Sequence, residues 1–321
     1  MRVIFFGTSE FAVDSLEALV ARRHRLDLCV TQPDRPQGRG LEVVFSPVKQ
    51  AAQRLGVPLL QPERLHAALF ASLRFDVGVV VAYGKLLRQE VLSLPRHGML
   101  GVHPSLLPKY RGAAPIAWSL LNGETATGVT IFRLSEALDA GDILSQQMVT
   151  IEPGENAEML GRRLARVGAE ALIGALDDLD AGRANFTPQD ETRASFAPKL
   201  TKATGRIDWN SPAAVIERLV RGTIPWPGAG SRLGEQELRI WKVAFGDGAE
   251  VQAETLPGTV VRVGSNSLTV ATGQGTIEIQ ELQPAGRRRM SVRDYVAGHP
   301  VRVGERFAGE RQQKSSTEDC R

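Results

Sequence analysis

Apolar residues in the first third of the chain come in short bursts, separated by stretches with helical spacing. Val3-Ile4-Phe5-Phe6 predicts a strand over 2–6, and Phe11, Leu16, Leu19 and Val20 then mark one face of a helix over 10–22. A second strand is predicted over 26–31. Ser46 and Pro47 read as N-cap and first helical residue of a helix over 47–54. A strand over 57–60, a helix around 64–73, a buried strand over 77–81 and a helix around 86–94 follow. Continuously apolar, β-branched strands alternating with helices predict a parallel sheet covered on both faces. Such sheets bind ligands beyond the carboxyl ends of their strands.

The texture changes in the second half. Residues 185–205 show no period and read as a linker. A helix over 212–221 precedes strand-like runs at 237–245, 258–263, 267–271 and 276–282, with turn signals between several of them. Short strands at this spacing predict a small closed barrel. A chain of 321 residues accommodates two domains. The expected division is a first domain over 1–189, a linker over 190–205, a barrel-like domain over 206–309 and a disordered tail over 310–321.

Composition narrows the function. With 42% apolar and 23% charged residues the chain matches an ordinary packed protein. It holds no apolar run of eighteen residues, so no membrane association is expected, and the start does not read as a signal peptide. Cys29 and Cys320 are too few for a disulfide scaffold or a four-cysteine zinc site, which points to no metal and a reducing cytoplasm. The turn Gly7-Thr8-Ser9-Glu10-Phe11-Ala12 carries one glycine where a dinucleotide fingerprint needs three, and no lysine-bearing phosphate loop is present. The net charge is +3, and its whole excess lies after residue 189, where Arg287-Arg288-Arg289 stands out. Such a triplet reads either as a solvated turn or as a phosphate footprint.

The densest chemistry lies between Met99 and Asp142. A strand over 99–102 runs into His103 and then into the proline-bounded loop Pro104-Ser105-Leu106-Leu107-Pro108. His103 is thus expected at the carboxyl end of a strand, where it is either a satisfied structural group or a proton carrier. Further on, Asp139 and Asp142 bracket a glycine turn in Leu138-Asp139-Ala140-Gly141-Asp142. A carboxylate that reaches His103 would orient or charge the imidazole.

With these motifs the chain resembles the methionyl-tRNA formyltransferase family, within the folate-dependent formyltransferases, along all but the last dozen residues. The resemblance rests on Phe6-Gly7-Thr8, Thr31-Gln32-Pro33-Asp34-Arg35-Pro36, Gly38-Arg39-Gly40, Val81-Ala82-Tyr83-Gly84, the stretch 103–115 and Asp139-Ala140-Gly141-Asp142. Arg206-Ile207-Asp208-Trp209, Pro225-Trp226-Pro227 and Gln283-Pro284-Ala285-Gly286 extend it through the second half. The resemblance implies an α/β, Rossmann-like formyltransferase domain followed by a smaller OB-like β-barrel. It implies transfer of a formyl group from 10-formyltetrahydrofolate to the α-amino group of initiator methionyl-tRNA, without a metal and with no protein partner indicated. It casts His103 as the catalytic histidine, Asp142 as its partner, and Ser105, Leu106, Leu107 and Pro108 as folate contacts. Arg39 and the triplet Arg287, Arg288 and Arg289 are the expected tRNA contacts.

Two departures qualify the resemblance. The family carries an asparagine two residues before the histidine, a donor to the formyl oxygen, and Gly101 stands there. Loss of an oxyanion donor costs about 100–1000-fold in rate. Lowered activity, a substitute donor and a catalytically impaired folate- or tRNA-binding homologue all remain open, as does hydrolysis of the formyl donor. The second departure is Leu41-Glu42, where the family usually has lysine, and it should weaken phosphate attraction.

Overall fold

The computed structural model describes residues 1–22, 24–37, 42–246 and 254–308. Arg39, Leu41, Cys320 and the expected tail lie outside the described residues. The chain forms two compact units. The first comprises 1–119, 124–153 and 159–199, and the second comprises 120–123, 154–158 and 200–321.

The first unit is built on a seven-stranded sheet. Across it run Ile143–Thr150, Ala126–Arg133, Met99–His103, Val77–Val81, Arg2–Gly7, Arg25–Val30 and Leu59–Leu60. The last five are mutually parallel, as their apolar runs predict. The first two are antiparallel additions at one edge, which the expectation of a wholly parallel sheet did not include. Val3, Ile4, Phe5 and Phe6 are completely buried.

Local signals fix several helices. Pro47–Arg54 starts where read, with Ser46 accepting from the Lys49 N–H and Pro47 in the first turn. The helix expected around 64–73 is a single 3-10 turn, Ala67–Phe70, because His66 is extended and no side chain caps the start. The helix expected around 86–94 shrinks to Gln89–Leu92, with Arg88 extended before it. The longest helix, Ala157–Asp180, was not anticipated. It buries Leu160, Leu164, Gly168, Leu172, Leu176 and Leu179 along one stripe. Gly168 permits close packing: a Cβ there would lie 2.9 Å from Val102, on the strand that carries His103.

The stretch read as a linker carries local structure in both halves, the second as the 3-10 turn Lys202–Gly205 capped by Thr201. Phe196–Ala197 pairs with Arg111–Gly112, and Gln189 and Glu191 bond the Arg111 guanidinium. Residues up to 199 accordingly count with the first unit.

The second unit is a curled antiparallel sheet. Its order is Val260–Val263, Leu268–Ala271, Thr276–Pro284, Gln236–Phe245, Ala229–Leu233 and Phe307–Ala308. The ends join: the Val260 N–H donates to Glu305 O at 2.8 Å, and the Phe307 N–H to Gly258 O at 2.8 Å. Those bonds close the barrel that the strand spacing predicts. Gly258, at φ +91°, sits at the seam, where a Cβ would fall 2.4 Å from the Phe307 carbonyl oxygen. Helix Ala213–Gly222 adds Ile216 and Val220 to a core of Trp209, Leu238, Ile240, Val270, Ile279 and Phe307.

Candidate active site

His103 ends the third strand of the first sheet on its carboxyl side and is 6% exposed. Its Nε2 lies 2.9 Å from the Tyr110 carbonyl oxygen. A carbonyl only accepts, so Nε2 carries the proton and the neutral ring presents its lone pair at Nδ1. Nδ1 faces the Asp139 carboxylate, 3.6 Å away. Burial pulls the His103 pKa below the ordinary imidazole value, opposed by the Asp139 charge and the bond to the Tyr110 carbonyl. The result is a neutral imidazole beside a carboxylate whose charge favours the protonated ring.

The loop after His103 is held by its own backbone and by Thr130. The Thr130 hydroxyl donates to the Ser105 carbonyl and accepts from the Leu107 N–H and the Gln146 amide. Ser105 is fully buried and donates to the Lys109 carbonyl. Leu107 is 3% exposed, so its side chain belongs to the interior, whereas Leu106 and Pro108 are half-buried. Of the four loop residues expected at a ligand, Leu106 and Pro108 therefore offer the side-chain surface.

The carboxylate at His103 is Asp139, not Asp142. Asp139 adopts φ +51°, a left-handed conformation that aspartate tolerates better than most residues, and its Oδ2 also accepts from the Gly112 N–H at 2.8 Å. Asp142 instead leads into the strand Ile143–Thr150, with its carbonyl accepting from the Arg133 N–H. It makes no ion pair with His103 among the described residues.

Gly101 lies opposite Phe132 in the sheet. A Cβ at 101 would fall 2.5 Å from the Phe132 ring and 2.6 Å from Leu134 Cδ1. The same ring stands edge-on to His103, with centroids 6.4 Å apart at 84°. The volume of a side chain at 101 is thus filled by hydrocarbon. Sequence reasoning passed over Phe132 and Gln189, because nothing local marks them, and it read Arg111 only as part of the stretch 103–115.

The arginine triplet lies in the second unit, in the turn after Thr276–Pro284. Arg289 is tied to Glu281 at 2.5 Å and lies over the Trp241 ring. Arg287 and Arg288 are exposed and enter no ion pair among the described residues.

The family described as "Formyl transferase" matches residues 1–176, and "Formyl transferase, C-terminal domain" matches residues 199–300. The chain belongs to the formyl transferase family. It is 42% identical to a methionyl-tRNA formyltransferase of Geobacter metallireducens, over 96% of this chain and 98% of that one. It is 46% identical to the same-named protein of Chloroflexus aurantiacus, over 95% and 100%. Among solved structures, the sugar 3N-formyl transferase WlaRD shares the fold at a TM-score of 0.66 and 14% identity, over 90% of this chain and 99% of that one. HypX from Aquifex aeolicus, crystallised with tetrahydrofolic acid, matches at a TM-score of 0.61 and 19% identity, over 92% and 47%. Among the described residues no helix is long and apolar enough to cross a membrane, and no cluster of side chains is suited to a metal.

Proposed function

We propose that this enzyme transfers a formyl group from 10-formyltetrahydrofolate to the α-amino group of methionyl-tRNA, in the cytoplasm. The observation that carries the reading is the pairing of a buried, neutral His103 with Asp139 at the carboxyl end of the central strands. The folate co-substrate supplies the formyl carbon. The amine forms a new bond to that carbon, the carbon's bond to N10 breaks, and the proton lost by the amine must reach N10. His103 Nδ1 is the group suited to take that proton, because Nε2 is already committed to the Tyr110 carbonyl. Asp139 holds the resulting imidazolium by charge. The half-buried Leu106 and Pro108 give the folate ring system apolar surface.

Gly101 has no side-chain donor for the oxygen that gains negative charge, and Phe132 and Leu134 occupy the space that a side chain there would take. That observation favours a second reading, a catalytically impaired homologue that keeps its ligands. One assay separates the two: purified protein with labelled formyl donor, tested with charged initiator tRNA and with water alone. Formyl-methionyl-tRNA should appear, and His103→Ala should lower its formation by at least about 100-fold while the protein stays folded. Donor consumption without tRNA would make the chain a hydrolase, and no consumption at all would support the impaired homologue.

A further inference from the structure

Asp139 reaches His103 from a backbone conformation that side chains other than glycine rarely adopt, at φ +51°. The turn is held from behind. Gln189 Nε2 donates to the carbonyl of Asp139 and to that of Gly141, both at 2.8 Å. Gln189 is itself fixed, because its Oε1 accepts from Arg111 Nε at 3.1 Å and from Nη2 at 2.7 Å. Arg111 is 4% exposed, and Glu191 completes its bonding with contacts of 2.8 and 2.7 Å.

Three successive residues thereby reach every part of the pair. The Tyr110 carbonyl holds the imidazole, Arg111 holds the Gln189 amide, and the Gly112 N–H holds the Asp139 carboxylate. The paired segments Arg111–Gly112 and Phe196–Ala197 tie residues 189–199 to the same place.

We propose that Gln189 is a positioning residue for formyl transfer: its amide, oriented by Arg111, holds the Asp139 turn so that the carboxylate faces His103 Nδ1. Only an amide fits both sides. A carboxylate at 189 cannot donate to the two carbonyls, and an ammonium cannot accept from the guanidinium. The effect on rate rests on the function proposed above. The placement of Asp139 is readable without turnover, from the titration of His103.

Gln189→Met keeps the length of the side chain, removes both sets of bonds and adds no charge. Among the described residues, the Asp139 carboxylate, the Tyr110 carbonyl and the Phe132 ring face His103. The Asp139 charge raises the imidazole pKa, so letting the carboxylate drift must lower the midpoint further. Ring-carbon NMR of the five histidines, with the His103 signal assigned by its loss in His103→Ala, should show that downward shift. Formyl transfer should fall about ten-fold, with KM for the donor within about two-fold, because geometry and not binding is lost. In an Asp139→Asn background the Met substitution should add less than about two-fold and no further shift.

A folded Gln189→Met protein with parental rate and midpoint would overturn the proposal, and so would a full ten-fold loss on top of Asp139→Asn. Should the Met variant not fold, Gln189→Asn carries the same test, since it keeps both polar groups but falls one methylene short. If the parental protein transfers no formyl group, the proposed function fails while the titration still decides what Gln189 does.

Discussion

The His103 site and the arginine turn of the barrel are both polar clusters, yet they work under opposite physical conditions. At His103 the imidazole is buried, its Nε2 is bonded to the Tyr110 carbonyl and one Asp139 oxygen to the Gly112 N–H, so the distance between ring and carboxylate sets how strongly the ring holds a proton. At the turn, Arg287 and Arg288 stand exposed with no ion-pair partner among the described residues, and their charges are screened over about 8–10 Å. The first arrangement suits chemistry on one atom. The second suits attraction to many phosphates, where no single distance matters. Mutations should therefore act through geometry in one place and through salt in the other.

The sharpest break of that comparison lies in the two aspartates of the glycine turn. Asp139→Asn should lower transfer by about 100-fold or more, because the imidazolium loses its counter-charge. The sign of the accompanying pH effect is fixed. Burial already holds His103 below its ordinary pKa, and the Asp139 charge opposes that. Removing the charge moves the acid limb of the pH–rate profile to lower pH still. Asp142→Asn, three residues on, should leave the rate within about two-fold and the limb in place. Equal effects of the two changes would mean that proximity to His103 is not what counts.

That pair also marks the boundary of what the sequence reveals. Chemically the two aspartates are the same, and the choice between them lies in one backbone angle at 139 and in an amide fifty residues away. The cap at Ser46-Pro47, the parallel strands and the barrel were legible because each depends on neighbours in sequence or on a regular spacing. The helix Ala157–Asp180 went unread, although its buried residues share one stripe; the close approach of Gly168 to Val102 is visible only in the fold. Position 101 was legible as a departure, but its consequence was not, because Phe132 covers it from a neighbouring strand. The charge of the arginine turn was plain from the start. What sequence could not say is that Arg289 is already engaged by Glu281.

A smaller effect tests whether the hydrocarbon over Gly101 is as closely packed as the geometry requires. Gly101→Asn places a side chain against the buried Phe132 ring and Leu134, which must shift to admit it, so it should destabilise by about 1–3 kcal/mol in urea unfolding and should not raise the rate. Phe132→Ala alone should cost about 3–5 kcal/mol through the cavity it leaves. Made together, the two should cost clearly less than their sum, because the new amide occupies the vacated space. Additive losses would mean that the two positions do not share that volume.

The smallest expected effect belongs to the arginines, and it should appear only as a dependence on salt. Each phosphate contact contributes about 0.7–0.9 to the slope of log affinity against log salt concentration. Arg287 and Arg288 are the two members of the triplet free to make one. Changing both to Gln should flatten the slope for methionyl-tRNA by up to about 1.4–1.8 and weaken binding most at low salt. Arg289→Gln should change the slope less, since that side chain is shared with Glu281 and rests on Trp241. Binding of the folate donor should not respond to any of the three. A slope that falls as much for Arg289 as for its neighbours would mean that the Glu281 pair opens when the polymer binds. An unchanged slope in the Arg287 and Arg288 double variant would reduce the turn to a solvated one, and the Arg39 segment would become the next place to look for the phosphate contacts.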